Sequence, residues 1–115
     1  MHEKNILKEK SFEFALKIVE LNKYLVEIKK EFVMSRQLLK SGIFIGAMVR
    51  EPEQAESKAD FIHKLSVGLK EANESEYWLE LLYGSAYIDE RQFIPISSDL
   101  KDILRLLISI IKHQS

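Results

Sequence analysis

Cysteine is absent from this 115-residue sequence, and proline, glycine and tryptophan are scarce, at two, four and one residues. Without thiols there is no disulfide framework, no thiolate nucleophile and no cysteine-built zinc site, so a reducing cytoplasm is the expected compartment. No glycine-proline alternation marks off short strands. No stretch approaches the roughly 18 apolar residues of a membrane span. The start, Met1-His2-Glu3-Lys4-Asn5, is charged and leads into no apolar signal core, so neither export nor a membrane partner is expected.

Hydrophobic residues make up 46% and charged residues 30% of the chain, the balance of a folded globular domain. The net charge of −1 argues against a strongly basic nucleic-acid binder, but it conceals an asymmetry. Residues 1–50 carry ten Lys/Arg against six Glu, a balance of +4, and residues 51–115 carry seven Lys/Arg against twelve acids, a balance of −5. A basic surface on the first half and an acidic one on the second are expected.

Apolar periodicity supplies the fold. Ser11 can cap a first helix over about 11–29, with Phe14, Ile18, Leu21, Leu25 and Ile28 as its core stripe. A second, over 32–53, is apolar nearly all round, and Gly42 and Gly46 in its interior ask for a close helix crossing. Pro52 should kink or end it. A third runs over 57–83, with Phe61, Ile62, Leu65, Leu69, Ala72, Leu79 and Tyr83 on one face and Gly84-Ser85 as its stop. Asp89 caps a fourth over 89–113, with Phe93, Ile96, Leu100, Ile103, Leu107 and Ile110 as the seam and Pro95 as either a kink or the true start. Four such helices with short connections predict an all-α, antiparallel up-down-up-down four-helix bundle, one domain over residues 1–115.

Three features bear on function. Leu104, Ile108 and Ile111 form a second apolar stripe on the fourth helix, extended by Leu106. It is either a wide core face or a subunit interface, and opposite charge on the two halves would suit a head-to-tail ring. Glu76 falls within the apolar face of the third helix, at the level of Ser35 and Ser97 with Tyr24 nearby, which predicts a buried polar layer of hydroxyls around the carboxylate. Lys29, Lys30, Arg36, Lys40 and Arg50 are the candidate phosphate-binding cations. Asp60-Phe61-Ile62-His63 has the carboxylate-histidine spacing of di-iron bundles, but only one such motif is present and the second it needs is missing. No phosphate loop or nucleophile elbow occurs. Neither a catalytic residue, nor a metal, nor a cofactor is therefore expected, and a metal enzyme built on Glu76, Asp60 and His63 is the weakest reading.

The runs Ser41-Gly42-Ile43-Phe44-Ile45-Gly46-Ala47-Met48-Val49-Arg50-Glu51 and Ala55-Glu56-Ser57-Lys58-Ala59-Asp60-Phe61-Ile62-His63-Lys64-Leu65 resemble the four-helix-bundle proteins encoded in intervening sequences of bacterial 23S ribosomal RNA genes. Leu69-Lys70-Glu71-Ala72 and Glu76-Tyr77-Trp78-Leu79-Glu80-Leu81-Leu82 extend the resemblance, which covers Ser11 to Lys112. Pro52 and Pro95 depart from the family pattern. The resemblance implies a bundle that assembles as a ring-shaped homopentamer and brings no catalytic residue with it. Those proteins are in turn similar to the accessory variability protein of diversity-generating retroelements, which binds a reverse transcriptase and nucleic acid. The expected function is a non-enzymatic, self-assembling bundle that binds RNA or DNA. The alternative is a protein-binding adaptor, for a polymerase or reverse transcriptase, without nucleic-acid contact.

Overall fold

The computed structural model describes residues 2–114, with all side chains among them except those of residues 53 and 54; positions 1 and 115 of the expected domain lie outside the described residues. Four helices follow one another: α1 (His2–Glu27), α2 (Met34–Arg50), α3 (Lys58–Gly84) and α4 (Glu90–Gln114), with a short 3-10 turn at Glu51–Gln54 between α2 and α3. Each helix packs on two neighbours, in the cycle α1, α2, α3, α4 and back to α1, without diagonal contact among the described residues. With short turns between helices this makes a square up-down-up-down bundle, 44 × 21 × 19 Å.

All four helices bury residues at alternating steps of four and three. The stripe runs through Leu7, Ser11, Phe14, Ile18, Leu21 and Leu25 in α1; Ser35, Leu38, Gly42, Ile45 and Val49 in α2, which also buries Ser41 and Met48 against α3; Leu65, Gly68, Ala72, Ser75, Leu79 and Leu82 in α3; and Ile96, Leu100, Ile103, Leu107 and Ile110 in α4. Such a stripe keeps one seam facing its partners along the helix. Small residues set how closely α2 approaches its neighbours. A methyl group on Gly42 would sit 3.2 Å from the Ile18 side chain, and one on Gly68 would sit 3.3 Å from Met48 Cβ. The close crossing that Gly42 demands is therefore the α1–α2 contact.

The structure moves several expected features. The first helix begins at His2, nine residues before Ser11, which is buried mid-helix and donates to the Lys8 carbonyl at 3.1 Å. Ile28 lies beyond the helix and is exposed. The expected polar layer around Glu76 does not form. Glu76 is half-buried, because the alternating steps place Ser75, not Glu76, in the α3 seam. The Ser75 hydroxyl meets Ser41 Oγ of α2 at 2.8 Å, and this hydroxyl pair is the buried polar contact between the two helices. Ser35 is buried but bonds to Glu31; Tyr24 lines a groove between α1 and α4; and Ser97 lies in a shallow surface depression beside Ile94 and Lys101. Pro95 does not start α4, which begins at Glu90. It sits exposed in the second turn of a helix capped by Asp89, whose carboxylate accepts from Gln92 N at 3.0 Å while Gln92 Oε1 accepts from Asp89 N at 2.9 Å.

The turns invert the usual use of glycine. All four glycines are helical, and among the described residues the two left-handed ones are Lys30 (φ 56°) and Ala86 (φ 68°). Gly84 is the last residue of α3, not its stop. The stop is a Schellman motif around Ala86, with Ala86 N bonded to Tyr83 O at 3.1 Å and Tyr87 N to Leu82 O at 3.0 Å. A Cβ in this conformation is unfavourable, so Ala86→Gly should raise unfolding free energy by about 1 kcal/mol. Matched urea melts of the two proteins check it; a variant that melts earlier would show that Ala86 carries no strain.

Candidate nucleic-acid interface

The sequence-predicted cations fall into two groups. Lys29 and Lys30 lie in the α1–α2 turn, and Arg36 and Lys40 occupy the first two turns of α2, all exposed. Arg50 lies at the far end of the same helix, about 21 Å from Arg36 by helix rise, with its guanidinium over the Phe12 ring of α1 at 5.4 Å. The fold therefore gathers four of the five at one end of the bundle and separates Arg50 from them. Between Phe32 and Arg50 there is no acidic residue, so α2 presents cations without carboxylates of its own to neutralise them.

Helix N-termini attract anions because their first N–H groups lack partners. At α2 those groups are already taken. Glu31 Oε2 accepts from Val33 N and Met34 N, each at 3.0 Å, and Oε1 accepts from Ser35 N at 2.7 Å, while Ser35 Oγ donates to the Glu31 carbonyl at 2.8 Å. Burial pulls the Glu31 carboxyl upward, but the backbone N–H groups of Ser35, Met34 and Val33 outweigh it and hold the pKa below the usual carboxylate range. The carboxylate caps the helix from within the chain, so any phosphate must be held by the lysine and arginine side chains. Glu31 fell between the first two helices expected from the sequence; the usable signal was its place four residues ahead of Ser35 at the head of an uncapped apolar run.

Across the α2–α3 contact, Lys40 and Lys70 both lie close enough to Glu71 to act on its charge. Burial raises the Glu71 pKa, and the neighbouring Glu74 raises it further. A cleft of about 670 Å³ opens here, lined by Gln37 of α2 and by Lys70, Asn73, Glu74, Tyr77 and Trp78 of α3 among others. A second groove, about 400 Å³ and mainly apolar, lies between α1 and α4 around Leu16, Leu21 and Ile96.

The second stripe of α4 is mostly used within the subunit. Leu104, Leu106 and Ile111 are half-buried and pack against the core, leaving Ile108 as its exposed member. More apolar surface is open on the first two helices, where Phe12, Leu16, Ile43 and Phe44 are each at least 40% exposed. Asp60 and His63 do not come together as ligands: Asp60 pairs with Lys64 at 3.3 Å and accepts from Glu56 N, and His63 is exposed. Among the described residues no group of three or more metal-ligating side chains is present, and no helix is long and apolar enough to cross a membrane.

The family model for the 23S rRNA-intervening sequence protein matches residues 3–109. A solved structure from Bacteroides thetaiotaomicron, described as a protein of unknown function from the S23 ribosomal protein family, is 58% identical, with a TM-score of 0.93 over 96% of this chain and 98% of that one. No functionally curated protein matches the chain. The match over nearly the whole length, together with the four-helix architecture, places this chain in the 23S rRNA-intervening sequence protein family.

Proposed function

We propose that the protein is a non-enzymatic, self-assembling bundle, a ring-forming homo-oligomer that binds RNA or DNA through the basic end of α2. The observation that carries the reading is the acid-free span from Phe32 to Arg50, which exposes Arg36 and Lys40 beside Lys29 and Lys30. Self-assembly rests on the exposed Phe12 and Leu16 of α1 and Ile43 and Phe44 of α2, large apolar side chains that the subunit itself leaves uncovered. A homopentamer is the assembly that the family resemblance implies. In a ring, each copy's cations would be repeated around one rim, multiplying the weak attraction of each set.

Two measurements on the purified protein test it. Light scattering over a salt series should give a mass several times the 13.4 kDa of one chain, near that of a pentamer; a stable monomer overturns the ring. Nucleic-acid binding should weaken with salt, and the double substitution Arg36→Gln, Lys40→Gln should reduce the log–log salt slope by roughly 1 for each cation removed. Absence of binding at low salt overturns the nucleic-acid reading. It would favour the adaptor alternative, in which the exposed apolar residues dock a polymerase or other protein in a manner insensitive to nuclease.

A further inference from the structure

The cleft between α2 and α3 combines an exposed aromatic ring, side-chain amides and a lysine. Tyr77 is 59% exposed. Its ring meets Trp78 edge-on, with centroids 5.1 Å apart and planes at 69°, so the contact leaves a Tyr77 face uncovered by Trp78. Trp78 is partly buried and packed against the core. Gln37 and Asn73, both exposed, bring side-chain amides to the same cleft from facing helices, and Glu74 adds an acceptor. Lys70 lines it, and Lys40 stands near enough to bias Glu71 beside it. A flat ring, donors and acceptors in both directions, and cations at the margin are what an unstacked nucleobase with its phosphate requires.

We infer that this cleft receives a base of single-stranded nucleic acid, stacked on Tyr77 and read at its edge by Gln37 and Asn73, with Lys40 and Lys70 holding the adjacent backbone. The inference rests on the nucleic-acid reading above and deepens it. It continues the basic end of α2, because Arg36 adjoins Gln37 and Lys40 lies one turn further along. A duplex is the poorer fit: its bases are stacked on both faces, and the site is a recess between helices with nothing that projects into a groove. The Glu71 and Glu74 carboxylates further disfavour a close-packed row of phosphates on this face, whereas one base with one neighbouring phosphate keeps the anionic backbone at the lysine margin.

Trp78 is the chain's sole tryptophan, so its emission reports this cleft and nothing else. The probes are a mixed-sequence single-stranded DNA oligonucleotide and the duplex made from it, titrated at low salt against the assembled full-length protein. The expected result is quenching by the single strand and much less by the duplex. Tyr77→Ala should weaken single-strand binding roughly ten-fold or more, with Tyr77→Phe close to wild type, since stacking needs the ring and not the hydroxyl. The exposure of Tyr77 means that the variant should keep its melting temperature and its mass. If the oligonucleotide binds, with a salt slope reduced in the Arg36→Gln, Lys40→Gln protein, but Trp78 is silent and Tyr77→Ala is neutral, the cleft is wrong and the cationic surface stands. Absence of binding removes both. If Tyr77→Ala changes the assembly's mass, the ring belongs to a subunit contact and the inference fails.

Discussion

Phe14→Ala should cost about 4 kcal/mol of stability at fixed protein concentration, the middle of the range for removal of a buried aromatic. Phe14 has no exposed surface, and its ring edge lies 3.5 Å from where a Gly42 side chain would begin. The cavity that truncation leaves therefore opens against bare helix backbone, with no side chain on that side of α2 to swing in, and the full cavity penalty is retained. A second substitution makes the test specific. Gly42→Leu should destabilise the wild-type protein, since even its Cβ meets both Ile18 Cγ atoms at 3.2 Å. In the Phe14→Ala background the same leucine should recover part of the loss by filling the vacated volume. Equilibrium denaturation of the four proteins measures the coupling. Strictly additive effects would mean that the two positions do not share a space.

Glu31 should contribute to the acid limb of the stability curve. Its folded-state pKa is depressed by the three backbone donors, whereas the unfolded carboxyl takes up its proton near its ordinary value of 4.5. The unfolded chain thus binds more protons in the window just below that value. The stabilisation is present in full above the unfolded pKa and is lost as the pH falls through the folded one. Glu31→Gln should flatten this acid limb, and Glu31→Ala should lower stability at neutral pH by about 2 kcal/mol, because the buried Ser35 N–H is left without its acceptor. Denaturation at a series of pH values separates the effects. An unchanged acid limb in Glu31→Gln would show that the carboxylate is not ionised in its cap, or that other acids set the limb.

The sequence displayed its helices more clearly than the faces they bury. In α4, polar and apolar residues alternate sharply, and the seam from Ile96 to Ile110 could be read directly. In α3 the seam includes Gly68 and Ser75, which do not read as apolar core residues, while bulkier Leu69 and Tyr83 lie on its flank and pull the apparent stripe off register by one position. That single step put Glu76 where Ser75 belongs. The start of α1 was obscured because Lys4, Lys8 and Lys10 surround the buried Leu7, and a serine that looked like a cap turned out to be a small core residue. The α2–α3 cleft was hidden for a different reason: Gln37, Asn73 and Tyr77 are ordinary surface residues until two helices bring them together. The cations of α2 could be listed from sequence, yet only the helix length shows that Arg50 is too far from Arg36 to share a phosphate with it.

The alternating four-and-three burial in every helix also constrains how relatives of this bundle can differ in length. One residue inserted within a helix turns everything beyond it by about 100° and would rotate Ser75 away from Ser41. Seven residues restore the original face to within about 20° and lengthen the rod by about 10.5 Å, two helical turns. Because all four helices keep the same count, the rod can grow or shrink only by whole heptads taken from every helix at one level, whereas the segments at 28–33, 55–57 and 85–89 can change by any number. Longer or shorter versions of this protein should therefore differ by sets of seven in the helices and freely in the turns.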